Sequence, residues 1–212
     1  MKKLLLIGDS VRMGYDRCVA MALEGKAQVL TPAENCRFAE YTYSELGTWE
    51  HNQRFGPDVD VIHWNVGLHD VRRFHGDPPM TPPEIYGYYL ERIILRLKDL
   101  YPGARQIFAL TTPVRDEKYT DPWFSRKDAD VVAINRTARA VAEKYGIPVN
   151  DLYAAAKTRD PDEIFNGAVH FNYAGSKLLA EAVLRAVCPA LGVEADLMRI
   201  RPETEDRTDI LQ

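Results

Sequence analysis

The chain has 212 residues, 46% hydrophobic and 27% charged, and its 27 Lys plus Arg against 31 Asp plus Glu leave a formal net charge of −4. That length suits one sizeable domain, with enough apolar residues for a core that needs neither disulfide nor metal. The mixed charge, without long single-sign runs, argues against a nucleic-acid-binding face, and three widely spaced cysteines, Cys18, Cys36 and Cys188, with no Cys-x-x-Cys pair suit a reducing compartment.

At the N-terminus, the apolar run Leu4 to Ile7 stops at Gly8-Asp9-Ser10, so it reads as the end of a first strand, Lys3–Ile7, and not as an export signal. A helix is predicted from Met13 to Leu23, a strand at Ala27–Leu30, a helix over Tyr43–Gln53 and a strand at Val59–Asn65. The next helix, Pro83–Leu100, places Ile85, Tyr88, Tyr89, Ile93, Leu97 and Leu100 mostly at three- and four-residue spacings. Pro82 and Pro83 suit its first turn and Pro102-Gly103 ends it. A strand at Gln106–Thr111, a helix at Asp128–Tyr145, a strand at Ile147–Val149 and a helix at Tyr173–Val187 complete the series. This alternation predicts β-α units around one parallel sheet. The polar stretch from Glu194 to Gln212 reads as a loosely held tail of a single domain spanning residues 1–212. No segment approaches the ~20 apolar residues of a membrane-spanning helix. The chain reads as cytoplasmic, with neither nucleic acid nor membrane as partner; its oligomeric state is not legible.

Two connections, Arg72 to Thr81 and Val114 to Lys127, follow the third and fourth strands and should emerge at the carboxyl edge of the sheet, where open α/β folds bind ligands. Gly8-Asp9-Ser10 lies between the first strand and helix, where Ser10 can project beside free helix amides or the motif can simply cap the helix. Asn65-Val66-Gly67-Leu68-His69-Asp70 ends the third strand, with Asp70 a possible cap or turn-former. His170 stands just before the last helix, a position that is more often structural when the histidine is alone. A sheet with its first strand central brings all three loops into one cleft.

These three blocks, in this chain order, resemble those of the SGNH hydrolases, the GDSL-type esterases and lipases. The resemblance implies a three-layer α/β/α sandwich with a flavodoxin-like, five-stranded parallel sheet of order 2-1-3-4-5. It also implies hydrolysis of lipid, carbohydrate or small acyl esters without a cofactor. By position, Ser10 matches the family's nucleophile and His170 its general base. The oxyanion hole falls to the Ser10 and Arg37 amides and the His69 side chain.

Three positions depart from the family pattern. His69 in Gly67-Leu68-His69-Asp70 replaces an oxyanion-binding asparagine; a histidine N–H can also donate, and a cationic one would hold the oxyanion more strongly. Arg37 in Glu34-Asn35-Cys36-Arg37-Phe38 stands where glycine is expected. Only its backbone N–H is required, so its side chain can line the entrance or remain a surface arginine. The triad acid's place is Gly167, which leaves a Ser10–His170 dyad oriented by a carbonyl or water, or Asp162 or Glu163 swinging in.

Asn65 and Arg115 are candidate substrate-binding residues. Trp64, Arg72, Arg73, Phe74 and His75, with Trp123 and Phe124, are weaker candidates around the cleft, and His51 and His63 read as structural. No phosphate-binding loop, Gly-x-Gly-x-x-Gly or metal motif is present, so neither metal nor cofactor is expected. The expected partner is a small-molecule ester of short-chain, acetyl type, carbohydrate esters included. The alternative is a non-catalytic member of the same fold that binds a carbohydrate or acyl ligand.

Overall fold

The computed structural model describes residues 1–121 and 123–202. Strand β1 (Lys2–Ile7) buries Leu4, Leu5, Leu6 and Ile7 on both faces, as the middle strand of a covered parallel sheet must. It pairs in parallel with β2 (Ala27–Leu30) on one side and with β3 (Val61–Trp64) on the other. Between β3 and the next sheet strand lies β4 (Arg73–Phe74); β5 (Arg105–Ala109) then pairs with β3. Beyond β6 (Phe124–Ser125), β7 (Val149–Asn150) closes the far edge on β5. The order β2-β1-β3-β5-β7 is the predicted 2-1-3-4-5 once the sheet's own strands are counted.

The helices are α1 (Ser10–Ala22), α2 (Ala39–Gln53), α3 (Pro83–Leu100), α4 (Asp128–Lys144), the short α5 (Leu152–Ala156) and α6 (Pro161–Ile164), and α7 (Tyr173–Leu191). Helix α7 crosses β1, β3, β5 and β7 with α1 beside it, while α2, α3 and α4 pack in series as the other layer. The result is the expected three-layer α/β/α sandwich.

Helix starts differ from the sequence reading where a side chain supplies the first amides with partners. Helix α1 starts at Ser10, ahead of Met13, because Asp9 accepts the Val11 N–H at 2.9 Å and caps it. Helix α2 starts at Ala39, four residues before Tyr43. Its N-cap Phe38 makes no side-chain cap bond; Asp70, far along the chain, accepts the Ala39 N–H instead, at 3.2 and 3.1 Å. Helix α7 runs through Pro189 to Leu191 and ends at Gly192 in the left-handed region, φ 70°.

The two connections predicted as loops are knitted together. β4 and β6 form a small antiparallel ribbon over the carboxyl edge, which Arg73 ties to α4 through a bidentate pair with Asp130 at 2.6 and 2.8 Å. A second hairpin joins β8 (Phe165–Asn166) to β9 (His170–Phe171) and presents His170. The first part of the predicted loose tail is fastened: the Asp196 N–H donates to Ala22, Arg199 pairs with Glu24, and Ile200 is buried. Residues 203–212 lie outside the described residues. No described helix is long and apolar enough to cross a membrane, and no cluster of potential metal ligands occurs among the described residues.

Candidate active site

Strand order reverses between β1 and β3, and the turns after these two strands meet at the carboxyl edge. There the Gly8-Asp9-Ser10 turn divides its labour. Asp9 caps α1, and Ser10, the first residue of that helix, directs its hydroxyl to His170, with Oγ 3.0 Å from Nε2. The cap expected of this motif is thus supplied by Asp9, which leaves the Ser10 hydroxyl to meet His170. With the His170 proton on Nδ1, Nε2 accepts the serine hydroxyl proton.

Close packing holds this turn. A Cβ on Gly8 would stand 2.2 Å from Asn65 Oδ1, so only glycine fits there. Asn65 is buried, and its Nδ2 reaches Asp9 Oδ2 at 3.4 Å, which gives it a supporting place behind the nucleophile where a substrate contact was predicted. Arg12, almost wholly buried, pairs with Asp16 at 2.8 Å and donates to the carbonyls of Glu34 at 2.7 Å and Pro32 at 3.2 Å. It therefore fastens the loop that carries Arg37 to the helix that carries Ser10, a role that sequence spacing did not reveal.

His170 is half-buried, and burial, followed by the charge of Arg126, lowers its pKa below the usual imidazole value of 6.5. Gly167, in the triad acid's place, is a turn residue between β8 and β9 with φ 85°. Glycine adopts that conformation without steric cost, whereas an aspartate would be strained. Asp162 is held by Arg115 at 2.7 Å, and Glu163 lends its carbonyl to Asn172. Among the described residues neither carboxylate bonds to His170. Arg115 also pairs with Glu117 at 2.8 Å, so both of its carboxylate partners belong to the scaffold, where a substrate contact was predicted.

Gly67 opens the His69 turn with φ 138°, and a Cβ there would lie 2.2 Å from Thr111 Oγ1 and 2.7 Å from Ile134 Cδ1. His69 is mostly buried, with Nδ1 at 3.4 Å from Arg72 Nη2. Arginine only donates, so this contact leaves the His69 proton on Nε2. Burial and then the nearby charges of Arg126, Arg72, Arg37 and His170 push the His69 pKa down to about 3. The ring is therefore a neutral N–H donor, in contrast to the cationic donor that the sequence left open. Arg37, at the position where glycine was expected, adopts a left-handed backbone, φ 54°, of the kind that favours glycine. Its N–H donates to Asn35 Oδ1 at 2.9 Å and its guanidinium covers Tyr41 at 4.8 Å.

Arg126, absent from the sequence-based candidates, lies beside both histidines; it is buried, and its Nε donates to the Leu68 carbonyl at 2.6 Å. Trp64 is fully buried against Phe108 and belongs to the core. His63, as expected, is a core residue, its Nε2 3.0 Å from Asn150 Nδ2. Trp123 stays exposed and stacks edge-on with His75 at 3.9 Å.

A three-layer α/β/α sandwich with a serine hydroxyl paired to an imidazole at the switch point of its sheet defines the class of protein. Residues 6–178 match the GDSL-like Lipase/Acylhydrolase family, and the chain belongs to that family. Comparison with curated proteins returned no match. Among solved structures, a lipase/acylhydrolase from Enterococcus faecalis is similar at 17% identity and TM-score 0.70, over 97% of this chain and 100% of that one. Axe2, an acetylxylan esterase from Geobacillus stearothermophilus, is similar at 18% identity and TM-score 0.68, over 95% of this chain and 97% of that one. The acetyl xylan esterase AlAXEase is similar at 16% identity and TM-score 0.67, over 87% of this chain and 99% of that one. At these identities the likeness is one of fold.

Proposed function

We propose that the protein is a serine esterase that cleaves short-chain, acetyl-type esters, carbohydrate esters included, through an acyl-enzyme on Ser10. The observation that carries this reading is the 3.0 Å contact between Ser10 Oγ and His170 Nε2. His170 takes the hydroxyl proton as Oγ attacks the ester carbonyl. The charge that develops on the carbonyl oxygen is met by the Ser10 amide at the start of α1, the His69 N–H and the Arg37 amide, which would turn from Asn35 to the substrate. Collapse of the tetrahedral adduct breaks the ester C–O bond, and the His170 proton leaves with the alcohol. Water, deprotonated by the same imidazole, then cleaves the acyl group from Ser10.

A Ser10–His170 dyad fits the turn glycine at position 167. Losing the orienting acid costs less than losing the nucleophile or base. Two features favour the second reading, a ligand-binding relative without turnover: the missing acid and an Arg37 amide already bonded to Asn35. Steady-state hydrolysis of para-nitrophenyl acetate by the wild type and by Ser10→Ala separates the two. The esterase reading requires wild-type turnover that Ser10→Ala abolishes with unchanged circular dichroism; equal rates in both proteins refute Ser10 as the nucleophile.

A further inference from the structure

Arg72 and Arg126 bring two guanidinium groups to the His69 turn, and among the described residues no carboxylate contacts either. Arg126, buried to 5% exposure, spends Nε on the Leu68 carbonyl at 2.6 Å and Nη1 on the Tyr119 hydroxyl at 2.9 Å, both neutral acceptors. Arg72 lies 5.6 Å from the centroid of the Phe124 ring that Arg126 faces at 5.7 Å, so two cations share one aromatic ring. The Arg72 Nε is buried without a hydrogen-bond partner, and His69 Nδ1 is the only partner of its five donors among the described residues. Arg12, Arg73, Arg115, Arg139 and Arg199, by contrast, all contact carboxylates.

Like charges gathered in a half-buried place, with donors left over, are destabilising unless something negative completes them. Among the described residues no carboxylate contacts either guanidinium to supply it. Asp9, whose carboxyl feels the charge of Arg126, is buried and committed to the α1 cap, and Glu34, which feels Arg37, is bonded to Trp49 and Tyr41. The side of Arg72 that meets His69 adjoins the proposed oxyanion donor, so an anion held there would lie next to the reacting carbonyl.

We propose that Arg72, backed by Arg126, forms an anion subsite beside His69, and that the natural substrate is an ester carrying a carboxylate close to the scissile bond. The planar guanidinium matches a carboxylate in two parallel hydrogen bonds. Arg37, exposed above Tyr41, adds positive charge on the approach. This inference rests on the serine-esterase reading for its chemistry and on the arginine geometry for its specificity.

Two matched pairs test it. Para-acetoxybenzoate against its methyl ester places the charge on the alcohol part, and para-nitrophenyl hemisuccinate against para-nitrophenyl methyl succinate places it on the acyl part. At least one pair should show a preference in kcat/KM of about ten- to a hundredfold for the anion, the range expected of a charge-assisted hydrogen bond. That preference should shrink with added salt and collapse toward parity in Arg72→Gln, with Arg72→Lys in between. Parity within about twofold in both pairs, or a preference that survives Arg72→Gln, overturns the proposal. Should Arg72→Gln fail to fold, the wild-type ratio and its salt dependence decide alone. Calorimetry with Ser10→Ala separates the two layers of the argument. Tighter binding of para-acetoxybenzoate than of its methyl ester supports the subsite even if no ester is turned over, an outcome that would remove the esterase reading alone. Equal binding within this pair and within the hemisuccinate pair, measured in the same variant, overturns the subsite while leaving that reading intact.

Discussion

Replacing Gly67 by alanine tests how the turn that carries His69 is built. The added methyl would sit 2.2 Å from Thr111 Oγ1 and 2.7 Å from Ile134 Cδ1, at a backbone φ of 138°. Thr111 is not free to retreat, because its hydroxyl donates to the Val66 carbonyl at 3.0 Å and its amide to Asn135 at 2.9 Å. Overpacking of a filled interior costs about 1 to 3 kcal/mol, the unsuited backbone about 1 to 2, and a displaced buried hydrogen bond about 1. Together these predict a loss of about 3 to 6 kcal/mol, or a fall in Tm on the order of 10 °C for a chain of this size. Urea unfolding followed by circular dichroism measures it, with an unchanged m-value as the check that the denatured state is the same. In a Thr111→Ala background the nearest clash is gone, so Gly67→Ala should cost at least about 1 kcal/mol less, a coupling typical of touching residues. A Gly67→Ala variant within about 1 kcal/mol of the wild type would refute the packing argument, and with it the claim that glycine is required to aim His69.

Three further expectations follow from the electrostatics. Burial and Arg126 lower the His170 pKa, so kcat/KM should rise with pH along a limb centred below 6.5 and stay flat through neutrality; a limb at about 7 or above contradicts the absence of a carboxylate partner. His69 is neutral across that range, so His69→Asn should keep the shape of the profile and much of the rate. His69→Ala should lose about a hundred- to a thousandfold in kcat, and equal, wild-type-like rates in both variants would remove His69 from the oxyanion hole. Burial pushes the Asp70 carboxyl up to about 7. Its contribution to stability is therefore fully present below the unfolded carboxylate pKa of about 4 and is lost as pH rises through about 7. Asp70→Asn retains an acceptor for Ala39 without this titration, so unfolding curves should show its stability improving relative to the wild type between about pH 4 and 8; a constant difference refutes the assignment.

The five sheet strands and five long helices were legible because their patterns are local. The apolar run Leu4 to Ile7, cut off by Gly8-Asp9-Ser10, reads as a covered strand and is one. Pro83–Leu100 is a helix as its spacing predicts, but its buried stripe runs through Tyr86, Leu90, Ile93, Ile94 and Leu97, leaving Ile85 and Tyr88 exposed. Ser10 and His170 were legible through the order of their blocks. The β4–β6 ribbon was not, since two-residue strands have no periodicity and form only when distant loops meet. Arg126 stayed hidden for a related reason: an arginine in a polar loop is exposed by default, and its burial here depends on the Leu68 carbonyl and the Tyr119 hydroxyl, which only the folded chain brings to it. Asp70 reads in the sequence as a cap or turn-former, but the helix whose first amide it takes begins 31 residues earlier, a pairing invisible to local spacing. Gly167 was read as a missing acid; the structure adds that the hairpin demands a left-handed residue there.

Labelling with a serine-directed fluorophosphonate, the modified residue located by mass spectrometry, tests the central claim most directly. The Ser10–His170 geometry predicts one modified serine, Ser10, with labelling abolished in Ser10→Ala and strongly slowed in His170→Ala. No labelling of the native protein, labelling at another serine, or an unchanged rate in His170→Ala would contradict it.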